Sequence, residues 1–237
     1  NSGGGSAYAS EQMWRAIQEL KKKKTVVVSM GDYAASVGYY MACGADRIFA
    51  QPSTLTGSIG IFGLVPDASG LLTDKLGLHF DVVKTNEAAD FGALGRSFNA
   101  AESAAMQQHV ERGYKLFLDR VGQGRNMNFA QVDSIAQGRV WSGARAVELG
   151  LADANGGLRE AIAVAVDKAG IAENFRVTEV LEELSPMAQM MQSLNMQVKA
   201  YFLDAETMEA VEYYNSLKRE VAREGVQAYC PYALSIN

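Results

Sequence analysis

The sequence predicts an α/β fold in which strands and helices alternate and parallel strands are joined by right-handed crossovers. Apolar residues switch repeatedly between helical and extended spacing along the chain. Thr25 to Met30 is a β-branched run, apolar on both faces, as in a central strand covered by helices. The chain has 237 residues, 48% hydrophobic and 21% charged, so it can bury a substantial core.

The elements follow in order. From Ser6 to about Lys23, Ala9, Met13, Ala16, Ile17 and Leu20 recur at helical spacing behind a capping Ser6, predicting an amphipathic helix that buries this stripe. The Thr25 to Met30 strand ends in a Gly31-Asp32-Tyr33 turn. Ala34 to Gly44, small and apolar, predicts a buried helix, and Arg47 to Ala50 a short strand. Pro52 to Gly57 reads as a loop, Ser58 to Val65 as a glycine-spaced strand, Ser69 to Leu76 as a helix and Leu78 to Lys84 as a strand. Thr85 to Phe98 lacks periodicity and is expected to be a mobile loop. Asn99 to about Gly122 predicts a long helix with Asn99 and Glu102 as a capping box. A helix near Phe129 to Ala136, a strand at Arg139 to Trp141 and helices at Ala144 to Leu149 and Gly157 to Ala169 complete the compact part. Residues 1–172 are expected to form one domain and 173–237 a packing or oligomerisation arm, with a possible strand at Phe175 to Val180 and a Met-rich helical stretch at Pro186 to Met208.

A net charge of -5 and a pI near 5.2 argue against a nucleic-acid partner, because phosphate binding needs a basic face. The run Lys21 to Lys24 complements a helix C-terminus and then meets solvent. Two cysteines, Cys43 and Cys230, make no disulfide framework. No uninterrupted apolar run reaches the roughly 18 residues of a spanning helix. Any leader or anchor is expected upstream.

Met30 to Tyr40 carries one serine, Ser36, where a strand gives way to a buried helix. Unpaired N–H groups at that corner favour negative charge on its oxygen or on a bound carbonyl. Taken alone, such a serine is most often an ordinary helix cap. The Gly3-Gly4-Gly5 turn is free to aim an amide at a ligand, and Gly5 with Val37, the residue after the serine, are the candidate oxyanion-hole donors. Pro52 to Gly63, dense in hydroxyls and glycines, reads as a tightly built site wall.

The order Asn1-Ser2-x-Gly4-Gly5-Ser6, Ser29-Met30-Gly31-x-x-Ala34-Ala35-Ser36-x-Gly38-Tyr39-Tyr40, Ala45-Asp46 with Ile48, Pro52 to Gly60, and Ala136 to Gly143 followed by Ala146 and Gly150-Leu151-Ala152-Asp153 resembles the signal peptide peptidase A family of bacterial serine proteases, which includes protease IV. The similarity spans roughly residues 1 to 165, and Tyr229-Cys230 is similar to the long, two-repeat form. The resemblance implies a crotonase-like or ClpP-like superhelix of strand-strand-helix units, and a Ser–Lys dyad that degrades cleaved signal peptides. It puts Ser36 on the nucleophile, Gly5 and Val37 on the oxyanion donors, and Ser58 on the hydroxyl that bonds the lysine amine. No cofactor or metal is called for. The stretch Thr85 to Phe91 has alanine where short members carry the lysine, so the chain reads as the C-terminal, serine-bearing half of the long form. Its lysine then comes from an N-terminal repeat outside these residues. The same resemblance implies a homo-oligomer, tetrameric in the long form, and a location at the periplasmic face of the bacterial inner membrane.

Two departures are specific to this sequence: Gly3 stands where the family usually has proline, and Val37 where it has glycine. Lys84 reads as a solvated strand end, and His79 and His109, outside any motif, offer little to a Ser-His-Asp site. The alternatives are a crotonase-type acyl-CoA enzyme and a catalytically silent assembly module.

Overall fold

The computed structural model describes residues 1–93, 95–180 and 227–229. The chain divides into two compact units, 1–172 with 226–237, and 173–225. Of the second unit only 173–180 is described, without helix or strand; the expected strand there is absent, and the Met-rich stretch lies outside the described residues.

The first unit opens with β1 (Gly4–Ser6), α1 (Ala7–Lys21), β2 (Val27–Met30), β3 (Tyr33–Ala35), α2 (Val37–Ala42), β4 (Arg47–Ala50) and β5 (Leu55–Gly57). It continues with α3 (Ala100–Arg125), α4 (Phe129–Ile135), β6 (Val140–Ser142), α5 (Gly143–Glu148), β7 (Ala154–Asn155) and α6 (Leu158–Ala169), and β8 (Gln227–Tyr229) returns to it. Successive turns stack like strands on like. One sheet runs β2-β4-β7, all parallel; another runs β3-β5-β6, with β3 and β5 parallel and β6 antiparallel. A third pairs β1 with β8, antiparallel. This is the expected α/β superhelix of strand-strand-helix units.

Helix ends form where the sequence provides caps. Ser6 accepts from the Ala9 amide, and Asn99 with Glu102 closes a full capping box on α3. The core between the sheets and α2, α3 and α5 holds Met30, Tyr39, Ile48, Phe117, Val121 and Leu151. Tyr39 donates its hydroxyl to the Leu151 carbonyl at 3.0 Å. Asp153 receives the Arg125 guanidinium (3.0 and 3.1 Å) and the Ile48 amide (2.7 Å), tying β7, α3 and β4 together. Cys43 is fully buried among these groups, and desolvation pushes its thiol up to about 12.

Three expectations are corrected. On α1 the buried residues are Ser10, Glu11 and Trp14, while Ala9, Met13, Ala16 and Leu20 face outward. Glu11 is admitted because Arg120 (2.9 Å), Arg15 (2.7 Å) and the Tyr40 hydroxyl (2.7 Å) donate to it. Arg120 also stacks 4.3 Å over the Trp14 ring. Secondly, Ala34 and Ala35 belong to a strand, so the helix begins only after Ser36. Thirdly, 58–65 and 78–84 form no regular strand; the helix predicted at Ser69 to Leu76 is present over 69–75, with Leu71–Lys75 wound as a π-type turn. Leu64, Leu78, Phe80, Val82 and Val83 are left exposed, Val83 at 99%. The 85–98 loop is held by a chain of ion pairs: Lys84 to Asp90, Asp90 to Arg96, and Arg96 to Glu102 in the α3 cap.

Candidate active site

Position 36 sits at the corner between β3 and α2. Ser36 takes φ 53° and ψ −111°, a conformation that costs a non-glycine residue about 1–3 kcal/mol. The neighbours enforce it. The Ser36 amide donates to the Gly57 carbonyl at 2.9 Å, and the Ser36 carbonyl accepts the first helical bond, from the Tyr40 amide at 2.8 Å. The Ser36 hydroxyl is fully buried and finds no hydrogen-bond partner among the described residues. The sequence reading put this oxygen at a strand-to-helix corner beside unpaired amides; in the structure it is covered.

Ser58 is brought to the same corner. Ala35 pairs with Gly57 in the β3–β5 register, so Ser36 and Ser58 are the next residues along two adjoining parallel strands. Ser58 is also left-handed (φ 48°), with its amide donating to the Arg139 carbonyl at 2.7 Å, and it is buried. The walls are closed by Thr54 and Thr56, whose buried hydroxyls donate at 2.7 Å to the carbonyls of Gly31 and Ala34. Hydroxyl density in 52–63 was the signal for this wall; the partners could not be read from it.

Gly5 comes in from β1. Ser2 anchors that strand on β3, its amide donating to the Tyr33 carbonyl (3.0 Å) and its carbonyl accepting from the Ala35 amide (2.9 Å). The Ser2 carbonyl rests on the first turn of α2, where a Cβ at Gly38 would stand 2.8 Å from its oxygen; only glycine fits. Beyond it Gly4 and Gly5 take φ 153° and 155°, which L side chains rarely adopt. A Cβ at Gly5 would lie 3.7 Å from Val37 Cγ2, so the two expected donor residues are neighbours. Val37 keeps a negative φ, and as the first residue of α2 its amide has no intrahelical acceptor.

An open cleft of about 430 Å³ adjoins Ser58, with Gly60, Ile61, Val110 and Tyr114 in its walls. Tyr114 braces it, donating to Asp133 at 2.6 Å and accepting from the Gln137 amide at 3.2 Å; burial and the Asp133 bond raise its phenol to about 12. Gln137 (φ 59°) is another strained residue at this end, which sequence reasoning missed. No lysine or histidine lines the cleft among the described residues. Lys84 is engaged with Asp90 and the Glu87 carbonyl, both at 3.2 Å, while His79 and His109 are exposed.

A family model described as Peptidase family S49 matches residues 18–172. The chain is 41% identical over 186 residues to a chloroplastic serine protease SPPA of Arabidopsis thaliana, covering 78% of this chain and 27% of that protein. It is 42% identical over 163 residues to Protease 4 of Haemophilus influenzae, covering 68% of this chain and 26% of that one. It thus spans about a quarter of the length of these relatives. Among solved structures, a point mutant of ClpP1 from Listeria monocytogenes is similar over 68% of this chain and 73% of that one, at 15% identity and a TM-score of 0.44. On the extent of the family match and the identity to these relatives, the chain belongs to peptidase family S49.

Proposed function

We propose that this chain carries the nucleophile half of a serine endopeptidase site that degrades cleaved signal peptides at the membrane, with the base lysine supplied from outside it. Ser36 attacks the scissile carbonyl carbon. Its proton passes to a neutral lysine amine, the oxyanion is held by the Gly5 and Val37 amides, and the departing amine takes the proton back from the ammonium. Water then attacks the acyl ester by the same route, releasing acid and freeing Ser36. Ser58 holds the amine through its hydroxyl. An ordinary lysine, with pKa about 10.4, is protonated at neutral pH, so burial beside Ser58 must lower it.

The observation that carries this reading is the orphaned Ser36 hydroxyl. A buried hydroxyl without a partner costs about 1–3 kcal/mol, and a strained backbone that persists beside it is the signature of a site completed by another group. The apolar walls at Ala34, Ala35 and Ile59 suit a small side chain next to the cut bond.

The test is active-site labelling with a fluorophosphonate in the full-length protein that contains this chain. Ser36 is expected to be labelled, and labelling to be lost in Ser36→Ala and in one lysine-to-alanine variant upstream. Labelling that survives removal of every upstream lysine contradicts the dyad.

A further inference from the structure

We infer that Glu11 is a positioning residue for this site: buried where α1, α2 and α3 meet, its carboxylate fixes the spacing of the α1 and α2 N-termini, and with it the aim of the Gly5 and Val37 amides at one oxygen. The inference deepens the peptidase reading and rests on it for its effect on turnover.

Both donors hang on the start of a helix. Gly5 precedes Ser6, the cap of α1, whose hydroxyl accepts from the Ala9 amide (3.4 Å) and whose carbonyl accepts from the Ser10 hydroxyl (2.8 Å). Val37 opens α2, whose first helical bond runs from the Tyr40 amide to the Ser36 carbonyl. Gly4 and Gly5 carry no side chains to lock them, so the Gly5 amide follows α1 as the Val37 amide follows α2. About one turn further in, the two helices are bonded to each other: the Tyr40 hydroxyl donates to Glu11 Oε2 at 2.7 Å. Arg120 of α3 grips the same carboxylate through two nitrogens, Nε on Oε2 at 2.9 Å and Nη2 on Oε1 at 2.5 Å, and Arg15 donates to Oε1 at 2.7 Å. Each oxygen of Glu11 thus accepts two hydrogen bonds, from donors on all three helices.

Stability alone does not account for a carboxylate here. Apolar side chains of similar volume in place of a buried ion pair are often neutral or stabilising, because both charges must be desolvated. What the ion pair adds is direction: hydrogen bonds fix a spacing and an angle, whereas apolar contact lets helices slide. The contact at the corner itself is of the apolar kind, with Val37 Cγ2 3.7 Å from where a Gly5 Cβ would stand. An oxyanion hole is sensitive to such sliding, since a misplacement of about 1 Å can cost on the order of 100-fold in rate.

The experiment uses the full-length protein that contains this chain, its Tyr40→Phe and Glu11→Gln variants, and two probes: a short apolar peptide ending in alaninal and the same peptide ending in alaninol. The Ser36 oxygen adds to the alaninal carbon and the hydroxyl proton ends on the former carbonyl oxygen, which occupies the oxyanion position; alaninol binds without that bond. Tyr40→Phe keeps the ring that packs 4.6 Å from Phe117 and removes only the hydroxyl. It is expected to lower kcat about tenfold and to weaken alaninal inhibition by the same factor, with KM and alaninol inhibition moved by no more than about twofold. Glu11→Gln is expected to show the same split, so either variant decides if the other fails to fold. Unchanged kcat and alaninal inhibition, or equal weakening of alaninal and alaninol, overturns the inference. Hydrogen exchange of the amides in 2–8 and 36–41, read by mass spectrometry, is measured separately. Exchange about tenfold faster in Tyr40→Phe, with a parent that neither hydrolyses peptide nor binds alaninal, removes the peptidase reading and keeps the positioning contact. Hydrolysis by the parent that both variants leave unchanged removes the positioning role and keeps the peptidase, and unchanged exchange without hydrolysis removes both.

Discussion

Ser36 combines burial, a left-handed backbone and an unpartnered hydroxyl, each of which destabilises a fold. Ser36→Ala is therefore expected to abolish peptidase activity in the full-length protein while raising its thermal midpoint by about 2–4 °C, since a stranded polar group is removed from a core. Differential scanning calorimetry checks this, and a fall of several degrees would show that the hydroxyl is satisfied. Ser58 makes a different prediction. If its hydroxyl holds the neutral amine, Ser58→Ala raises the amine's pKa, so the acidic limb of kcat/KM moves to higher pH and the rate at neutral pH drops about 10- to 100-fold. A uniform loss with an unmoved limb would assign Ser58 to packing. The residues of this corner were legible because their types are unusual for their positions. Their backbone angles were not: nothing in Ala-Ser-Val announces φ 53°, which is imposed by Gly57 and Tyr40.

Elements were legible where the signal is local. The Asn99–Glu102 capping box needs only four consecutive residues and is present. The buried face of α1 depends on Arg120, 109 residues away, and a periodicity count cannot know that a glutamate will be neutralised inside. Likewise 58–65 and 78–84 have strand composition but form no regular strand. Glu11 supplies the prediction at this scale. Burial pushes its carboxyl up, but hydrogen bonds from Arg120, Arg15 and Tyr40 outweigh that and hold it at about 2. Its charged form therefore contributes stability above the unfolded value near 4.5, lost as pH falls toward 2, worth about 3 kcal/mol in order of magnitude. Urea titrations from pH 6 to 2 should show Glu11→Gln less stable at pH 6 and with a flatter acid dependence. Parallel curves would mean that Glu11 does not anchor α1 to α3.

For the molecule as a whole, the cleft beside Ser58 contains no lysine or histidine from the described residues, and Leu64, Phe80, Val82 and Val83 are each exposed. The isolated 237-residue chain is accordingly expected to turn over peptide at no more than about a hundredth of the full-length rate, given what a general base contributes. Robust turnover by the purified chain would reveal a local base. The buried thiol of Cys43 has a practical consequence of its own. Enclosed between α1, α2 and α3, and far from ionising at neutral pH, it can meet an alkylating reagent only when the first unit opens. In a Cys230→Ser background, the rate at which iodoacetamide consumes Cys43 becomes a clock for global opening, readable by mass spectrometry without any knowledge of substrate.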